Sequence, residues 1–556
     1  MSQQITVGEL VAAALAGLGV RHAFGVVSIH NMPMLDAIGR GNAIRFVPSR
    51  GEAGAANMAD GYARVSDGLG VVITSTGPGA ANAVGGLLEA RIAGIPLLHL
   101  TGQTAAANIG KGRGSVHDAP DQLAMLASVC KAAYRIERAE DALDVLRHAA
   151  AEALAAPAGP VSVELPIDVQ KSTIERPAAL DALSPPAHSA PPPRERDLDA
   201  LADLVATAKR PLLWLGHGAR RAGAEAQRLM DMGFGVVTSQ HGRAIVPEDH
   251  PLSLGAFNLM PDVEALYGTC DLMIVAGSRL RGHETRDQAL ALPARRVRID
   301  VDLDAADRSY SSDMFVAGDA AQVLGGLADR LDGRPEGQTN IDPVFAADVS
   351  AARAAAESRV RAGLGEHTAL CDAVRAAIPG DAIWCRDITT SNTTWGNRLF
   401  PIDGPDQNVY SVDAGIGQGM QQAIGAWFAA DGRKVVAMCG DGGFFLNVSE
   451  VWTAVQQGAH VVMMVMNDSG YGIIRRIQDV QFEGRRYYDD LAIPDLGEFA
   501  KTAGLPYWRA SGIDAVANAL TEAMEIDGPT LIDVDLHALE PFPDASMPPT
   551  IRPPKG

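Results

Sequence analysis

A chain of 556 residues is too long for one hydrophobic core and is expected to divide into about three domains. Its 47% hydrophobic and 21% charged residues are the balance of a globular protein, which excludes disordered and fibrous classes. The formal net charge of −20 repels nucleic acid and anionic membrane, so any bound anion must be held by a local arrangement that opposes the global field.

The opening stretch, MSQQITVGELVAAALAGLGV, has no basic leader and is interrupted by Glu9, so it reads as an amphipathic first helix and not a signal peptide. No apolar run approaches the roughly 20 residues that span a bilayer. Cys130, Cys270, Cys371, Cys385 and Cys439 are widely spaced with no CxxC pair. That argues against a zinc site or disulfide framework and fits a reducing, cytoplasmic location. The first block, 1–175, carries strand-like runs at 70–76, 95–102 and 160–166, and a Pro- and Ala-rich linker covers 176–195. The central block, 196–335, has runs at 210–216, 234–239, 272–278 and 297–302; turn-formers around 332–345 suggest a second linker over 336–365. The last block, 366–540, has runs at 382–387, 434–442, 460–468 and 530–536, followed by a tail over 541–556. Short β-branched runs alternating with helical stretches predict an α/β chain of three consecutive doubly wound parallel-sheet domains.

The strongest constellation is in the last block. The strand KVVAMC runs into Gly440-Asp441-Gly442-Gly443, a helix follows, and the strand HVVMMVM ends at Asn467-Asp468. Asp441 and Asn467 are 26 positions apart, one crossover, which places both at the carboxyl ends of neighbouring parallel strands where ligands bind. Glycines beside Asp441 let the backbone approach a phosphate, and the next helix points its N-terminus at that anion. An Asp oxygen, an Asn oxygen and a main-chain carbonyl form a hard set suited to Mg²⁺. GDG alone is also a common turn string; the flanking strands and Asn467 favour the metal.

The first block contains PSRGEAGAANMADGYAR (48–64), with Glu52 among small and apolar residues at a helix start. Such surroundings disfavour the carboxylate form and ready the group to exchange a proton. A glutamate favouring the helix dipole is the competing explanation.

Together these stretches resemble the thiamine-diphosphate enzymes of the acetolactate synthase, 2-oxo acid decarboxylase and benzaldehyde lyase superfamily. The resemblance covers nearly the whole length, through GEAGAANMADGYAR, TSTGPGAANAVGGLLEA, IPLLHLTG, GPVSVELPIDV and the GDG…ND pair. It implies a pyrimidine-binding domain, a central degenerate Rossmann-like domain and a diphosphate-binding domain. It implies that Glu52 hydrogen-bonds N1′ of the cofactor's aminopyrimidine and drives its 4′-imino tautomer. Asp441, Asn467 and the main-chain oxygen of Ser469 would hold Mg²⁺ on the diphosphate, beside Gly440, Gly442 and Gly443. Ile416, within DAGIGQGMQQAIGA, falls where a bulky residue wedges the cofactor into its V shape, although a core isoleucine is also consistent. Thr389 and Thr390 fall where relatives ligate the diphosphate. Gly77-Pro78-Gly79 resembles the turn lining the pyrimidine site, which a plain tight turn would explain equally well. The implied assembly is at least a homodimer, with a homotetramer expected.

His30 follows the first strand in FGVVSIHNMP, at a position where acetolactate synthases carry small residues, and benzaldehyde lyase and guanidino-oxo-acid decarboxylase sequences are similar in having histidine there. Such a histidine can shuttle protons or hold an adduct's oxygen; a solvent-facing helix-start histidine is the alternative. His117 falls where relatives place Gln or His beside the substrate. The preceding GKGRG run (110–114) suits either an acidic substrate or a solvated loop. Ile29, Ile474 and Ile477 are expected to line an apolar substrate pocket. Gly277-Ser278-Arg279-Leu280-Arg281 lacks the FDDR-like run that accompanies FAD in acetolactate synthases, so FAD is not expected. Arg485-Arg486-Tyr487-Tyr488 and the tail read as surface able to close over the site. The expected activity is decarboxylation of, or carbon–carbon ligation from, a 2-oxo acid. A lyase splitting acyloins or 2-hydroxyacyl thioesters without CO₂ is the alternative. A flavin or nicotinamide oxidoreductase has only Gly216-His217-Gly218 in its favour, and a non-catalytic paralogue would have little use for Glu52, Asp441 and Asn467 together.

Overall fold

The computed structural model describes residues 4–333 and 340–543. Three parallel sheets follow one another along the chain, each built by crossover helices. The first has the order Arg45–Pro48, His22–Gly25, Gly70–Thr74, Leu97–Gln103, Val161–Pro166, Ala132–Arg135. The central sheet runs Gly235–Thr238, Pro211–Leu215, Leu272–Ala276, Arg296–Asp300, Met314–Ala317. The last runs Asn408–Tyr410, Ile383–Arg386, Val435–Gly440, Val461–Asn467, Thr530–Asp535, Tyr507–Ser511. A small antiparallel pair, Gln4–Thr6 with Thr173–Glu175, ties the ends of the first domain together.

Inner strands buried on both faces read as unbroken apolar runs because alternate side chains feed different cores. Val435, Ala437 and Cys439 enter one apolar layer, whereas Val436 and Met438 enter another. The first layer is shared: it also takes Val72, Ala55, Ala56 and Ala59 from the first domain. Helix Glu52–Ser66 packs there on helix Gly419–Trp427. Gly61 and Gly425 permit the approach, since a Cβ at Gly61 would fall on the Gln422 carbonyl and one at Gly425 on the Met58 carbonyl. A buried polar network crosses the same boundary. Arg64 pairs with Asp60 at 2.9 Å and Glu89 at 3.0 Å, and Gln422 donates to Asp60 at 2.7 Å.

The segment expected as a linker over 336–365 is instead largely helix, Phe345–Leu364. Phe345, Val349 and Ala356 are buried in the central domain's core. The turn-formers before it stop one element without releasing the next from the domain. Residues 176–195 carry a short 3₁₀ turn, Ala178–Ala182, and a single β-bridge of Ser189 to Ala155 before helix Glu195–Ala206. Most of the tail expectation falls on 544–556, outside the described residues. The five cysteines are free and buried. Among the described residues no helix is long and apolar enough to cross a membrane.

Candidate active site

One group of side chains gathers where strands His22–Gly25 and Gly70–Thr74 end. Glu52 is the first residue of its helix and is buried; Asn82 donates to its Oε2 at 3.2 Å. The Gly77-Pro78-Gly79 turn starts helix Pro78–Ala93, with Gly77 at a φ of 55° that only glycine adopts readily. A Cβ at Gly77 would strike the His117 carbonyl, and one at Gly79 would come within 2.8 Å of Glu52 Oε1. These glycines therefore let the turn, the carboxylate and the His117 loop converge.

His30 is buried, and its Nδ1 has no hydrogen-bond partner. Burial, followed by the nearby His117, holds its pKa below the ordinary imidazole value, which favours the neutral ring. Ser28 and Ser75 hydroxyls lie 2.6 Å apart, and Ser75 Oγ lies 3.3 Å from His117 Nδ1. His117 itself is exposed and takes a φ of 61°. Ile29 projects outward at 59% exposure, as do Val27 and Val116. The GKGRG loop is exposed, with Arg113 donating to Asn108 Oδ1 at 3.2 Å.

The second group lies at the carboxyl ends of the last sheet. Gly440 pairs in register with Met466, which sets Asp441 alongside Asn467. A helix starts at Asp441 itself, Asp441–Leu446, earlier than the sequence suggests. Asp441 is fully buried, yet neither carboxylate oxygen has a hydrogen-bond partner. Burial, and then the Asp468 carboxylate, pushes its pKa up to about 7, with the amides of Gly442 and Gly470 pulling the other way. A buried, unpartnered carboxylate is costly unless a cation takes it. With a second carboxylate facing it, this donor chemistry fits Mg²⁺. Asn467 is oriented by its own bonds, donating to Asp533 at 2.9 Å and accepting from the Ser469 amide at 3.2 Å.

Thr389 and Thr390 are both buried, Thr389 against Gly440 and Thr390 near Gly472, where a Cβ would come within 3.1 Å of its Oγ1. Gly443 leaves room for Asp387, which accepts from the Gly417 amide at 2.9 Å and fixes the residue after Ile416. Ile416 is partly exposed and not a core residue. Gly442 has a packing role too, because a Cβ there would meet the Tyr471 ring at 2.6 Å. Ile474 and Ile477 lie on helix Gly472–Gln481, none of whose residues is buried. Tyr487 and Tyr488 extend from the following loop, where Arg486 pairs with Asp479 at 2.6 Å.

Thus Glu52, His30, His117 and Gly77 are brought together, and Asp441, Asn467, Thr389, Thr390 and Ile416 are brought together. Among the described residues, none of the polar bonds joining the two outer domains links the first set to the second. Sequence reading assigned no role to Asp387, Asp468, Asn82, Ser28 or Ser75. Asp468 directly follows Asn467 and was the nearest to a visible signal; the others are brought in only by tertiary packing.

Gly216 and Gly218 serve a crossing of two strand ends, since a Cβ at Gly216 would strike the Gly277 carbonyl. They border a cavity of about 610 Å³ between the first and central domains, edged by Arg91, Lys131, Arg220, Arg279 and Asp302.

Residues 5–125 match the N-terminal TPP-binding domain of thiamine pyrophosphate enzymes, 198–327 their central domain and 388–534 their C-terminal TPP-binding domain. The chain is similar to a probable 2-ketoarginine decarboxylase from Pseudomonas aeruginosa, at 30% identity over 474 residues, 85% of this chain and 83% of that protein. It is 28% identical over 490 residues to the large subunit of acetolactate synthase isozyme 1 from Escherichia coli, covering 86% and 85% of the two chains. A probable acetolactate synthase large subunit from Methanococcus aeolicus is 27% identical over 571 residues, covering 97% and 93%.

Proposed function

Because the chain belongs to the thiamine pyrophosphate enzyme family, we propose that it is a Mg²⁺-dependent decarboxylase or carboligase acting on a 2-oxo acid. The observation that carries this reading is Asp441, buried with both oxygens unpartnered at the end of the strand that leads into the glycine loop. Asp441, Asn467 and the Ser469 carbonyl would hold the metal, and Thr389 and Thr390 would meet the diphosphate. Glu52 would meet the aminopyrimidine. Bound thiamine diphosphate supplies a nucleophilic carbon and an electron sink for loss of CO₂.

The protein's own part is placement and proton control. Glu52, oriented by Asn82, holds a proton at the cofactor's ring nitrogen. A neutral His30 presents a nitrogen that accepts or returns a proton at the substrate's former carbonyl oxygen, with His117 beside it. Ile29, Ile474 and Ile477, none of them buried within one chain, would become apolar walls where a second copy covers them. Among the described residues no polar bond joins the Glu52 group to the Asp441 group within one chain, and the working unit of this reading is at least a dimer, with Glu52 of one copy facing Asp441 of another. The outward-facing Val27, Ile29 and Val116 support this arrangement. Flavin has no role in the reading, because Gly277-Ser278-Arg279-Leu280-Arg281 lacks the FDDR-like run that accompanies FAD in acetolactate synthases; visible flavin absorbance in the purified protein would overturn this.

The testing experiment is CO₂ release from pyruvate and from branched, aromatic and guanidino-bearing 2-oxo acids, with thiamine diphosphate and Mg²⁺ present. Release from one class is the expected result. The buried neutral histidine favours one second reading, cleavage of an acyloin or 2-hydroxyacyl thioester without CO₂. Silence across the panel, from protein shown to hold cofactor, would select it.

A further inference from the structure

Helix Glu52–Ser66 begins without a side-chain cap of its own; its N-cap is Gly51. The first amides of a helix need acceptors. Here the cap amide, Gly51, and the amide before it, Arg50, are taken by the last domain. Glu450 Oε1 accepts from the Gly51 amide at 3.0 Å and the Arg50 amide at 3.0 Å, and Oε2 is 3.2 Å from the Arg50 amide. Thr453 donates to the same carboxylate at 2.6 Å, and Glu450 is 1% exposed. Gly54, one residue beyond Ala53 on the helix, is shaped to this contact, since a Cβ there would overlap Glu450 Oε1. The Arg50 side chain adds bonds to Gln456 at 2.7 Å and the Trp452 carbonyl at 3.3 Å.

The segment from 441 to 450 therefore touches three parts of the candidate machinery. It starts at Asp441. In its middle, Asn447 donates to the Gly417 carbonyl at 2.8 Å, beside Ile416. It ends on the two amides directly before Glu52. A carboxylate at a helix N-terminus is a charge-assisted acceptor and complements the dipole, so the contact is both strong and directional.

We infer that Glu450 is a positioning residue, which fixes the first turn of helix Glu52–Ser66 from the opposite domain and so sets the reach of Glu52 toward the cofactor's ring nitrogen. This rests on the proposed function above. Removing the anchor leaves Glu52 chemically intact but free to shift, and misplacements of about 1 Å can cost on the order of 100-fold in rate.

The test compares Glu450→Gln and Thr453→Val with the wild type. In the cofactor-free protein, hydrogen–deuterium exchange is read at the Arg50 and Gly51 amides. In the loaded protein, the rates of deuterium exchange at C2 of bound thiamine diphosphate and the affinity for it are read. The expected result for Glu450→Gln is faster amide exchange and C2 exchange slowed about 10- to 100-fold. Its melting temperature and cofactor affinity should stay close to wild type. Thr453→Val, which keeps the carboxylate, should move both readouts in the same direction by less, and it serves as the folded variant if Glu450→Gln fails to fold. Wild-type C2 exchange rates in variants whose Arg50 and Gly51 amides have lost protection would overturn the inference alone. A wild-type protein that holds no thiamine diphosphate would overturn the function on which it rests, and the inference with it.

Discussion

His30 and His117 face one another with ring centroids 5.5 Å apart and planes tilted by 47°, although 87 residues separate them in sequence. Burial is the larger cause of the lowered His30 pKa and His117 the smaller. A protonated His117 repels a second proton on His30. His117→Gln removes that repulsion, so His30 should titrate at a higher pH while staying below the ordinary 6.5, because the burial remains. The acid limb of kcat/KM should shift upward in this variant, and histidine NMR should show the same direction. A limb that does not move would mean that another group sets it.

Glu52→Gln keeps the side chain's shape and its bond to Asn82 while removing the exchangeable acid. Turnover should fall by about 10²- to 10⁴-fold, the usual worth of a positioned acid–base group. Cofactor binding, followed by titration calorimetry, should persist. Loss of binding together with turnover would assign Glu52 to affinity instead.

Asp441 gives a stability signature that is separate from activity. Its pKa rises from 3.8 to about 7 on folding, so the cofactor-free protein loses stability as pH climbs through that range. Asp441→Asn removes the penalty. Its melting temperature should match that of wild type at about pH 4 and exceed it increasingly toward pH 8, whereas thiamine diphosphate and Mg²⁺ should stabilise only the wild type. Equal melting curves at high pH would show that Asp441 finds a partner in solution.

The glycine contact between the outer domains makes a contrast that denaturant unfolding can read. Gly61→Ala puts a methyl group onto the Gln422 carbonyl and should cost about 1–3 kcal/mol. Gly39→Ala, also within a helix but with open space around it, should be neutral or stabilising by up to about 1 kcal/mol. Similar effects at the two positions would mean that the helix pair yields easily.

The inner strands were legible in the sequence because each is a buried apolar run. Of the six edge strands of the parallel sheets, the fully buried Gly235–Thr238 was legible too, whereas Arg45–Pro48, Ala132–Arg135, Met314–Ala317, Asn408–Tyr410 and Tyr507–Ser511 were not among the strand-like runs. Most are only half covered, as in the mixed burial of Tyr507–Ser511, and Asn408–Tyr410 is only three residues long. Both conditions erase the signal. At the site, Glu52 and Asp441 stood out because glycines and a strand end frame them locally. Glu450 and Asp387 act on residues 399 and 30 positions away in sequence, and no local pattern encodes such a partner. The helix Phe345–Leu364 was hidden by the turn-formers that precede it.

The apolar layer shared by the first and last domains also dictates when the protein can fold. Ala55, Ala56 and Ala59 leave the ribosome early, but Ile424, Val435 and Val461, which enclose the same layer, are made more than three hundred residues later. During synthesis the first domain must wait with the outer side of helix Glu52–Ser66 uncovered, while the central domain, whose core is its own, can close. The nascent chain thus carries an unfinished apolar surface through most of its production, and chaperone demand should be greatest in that interval.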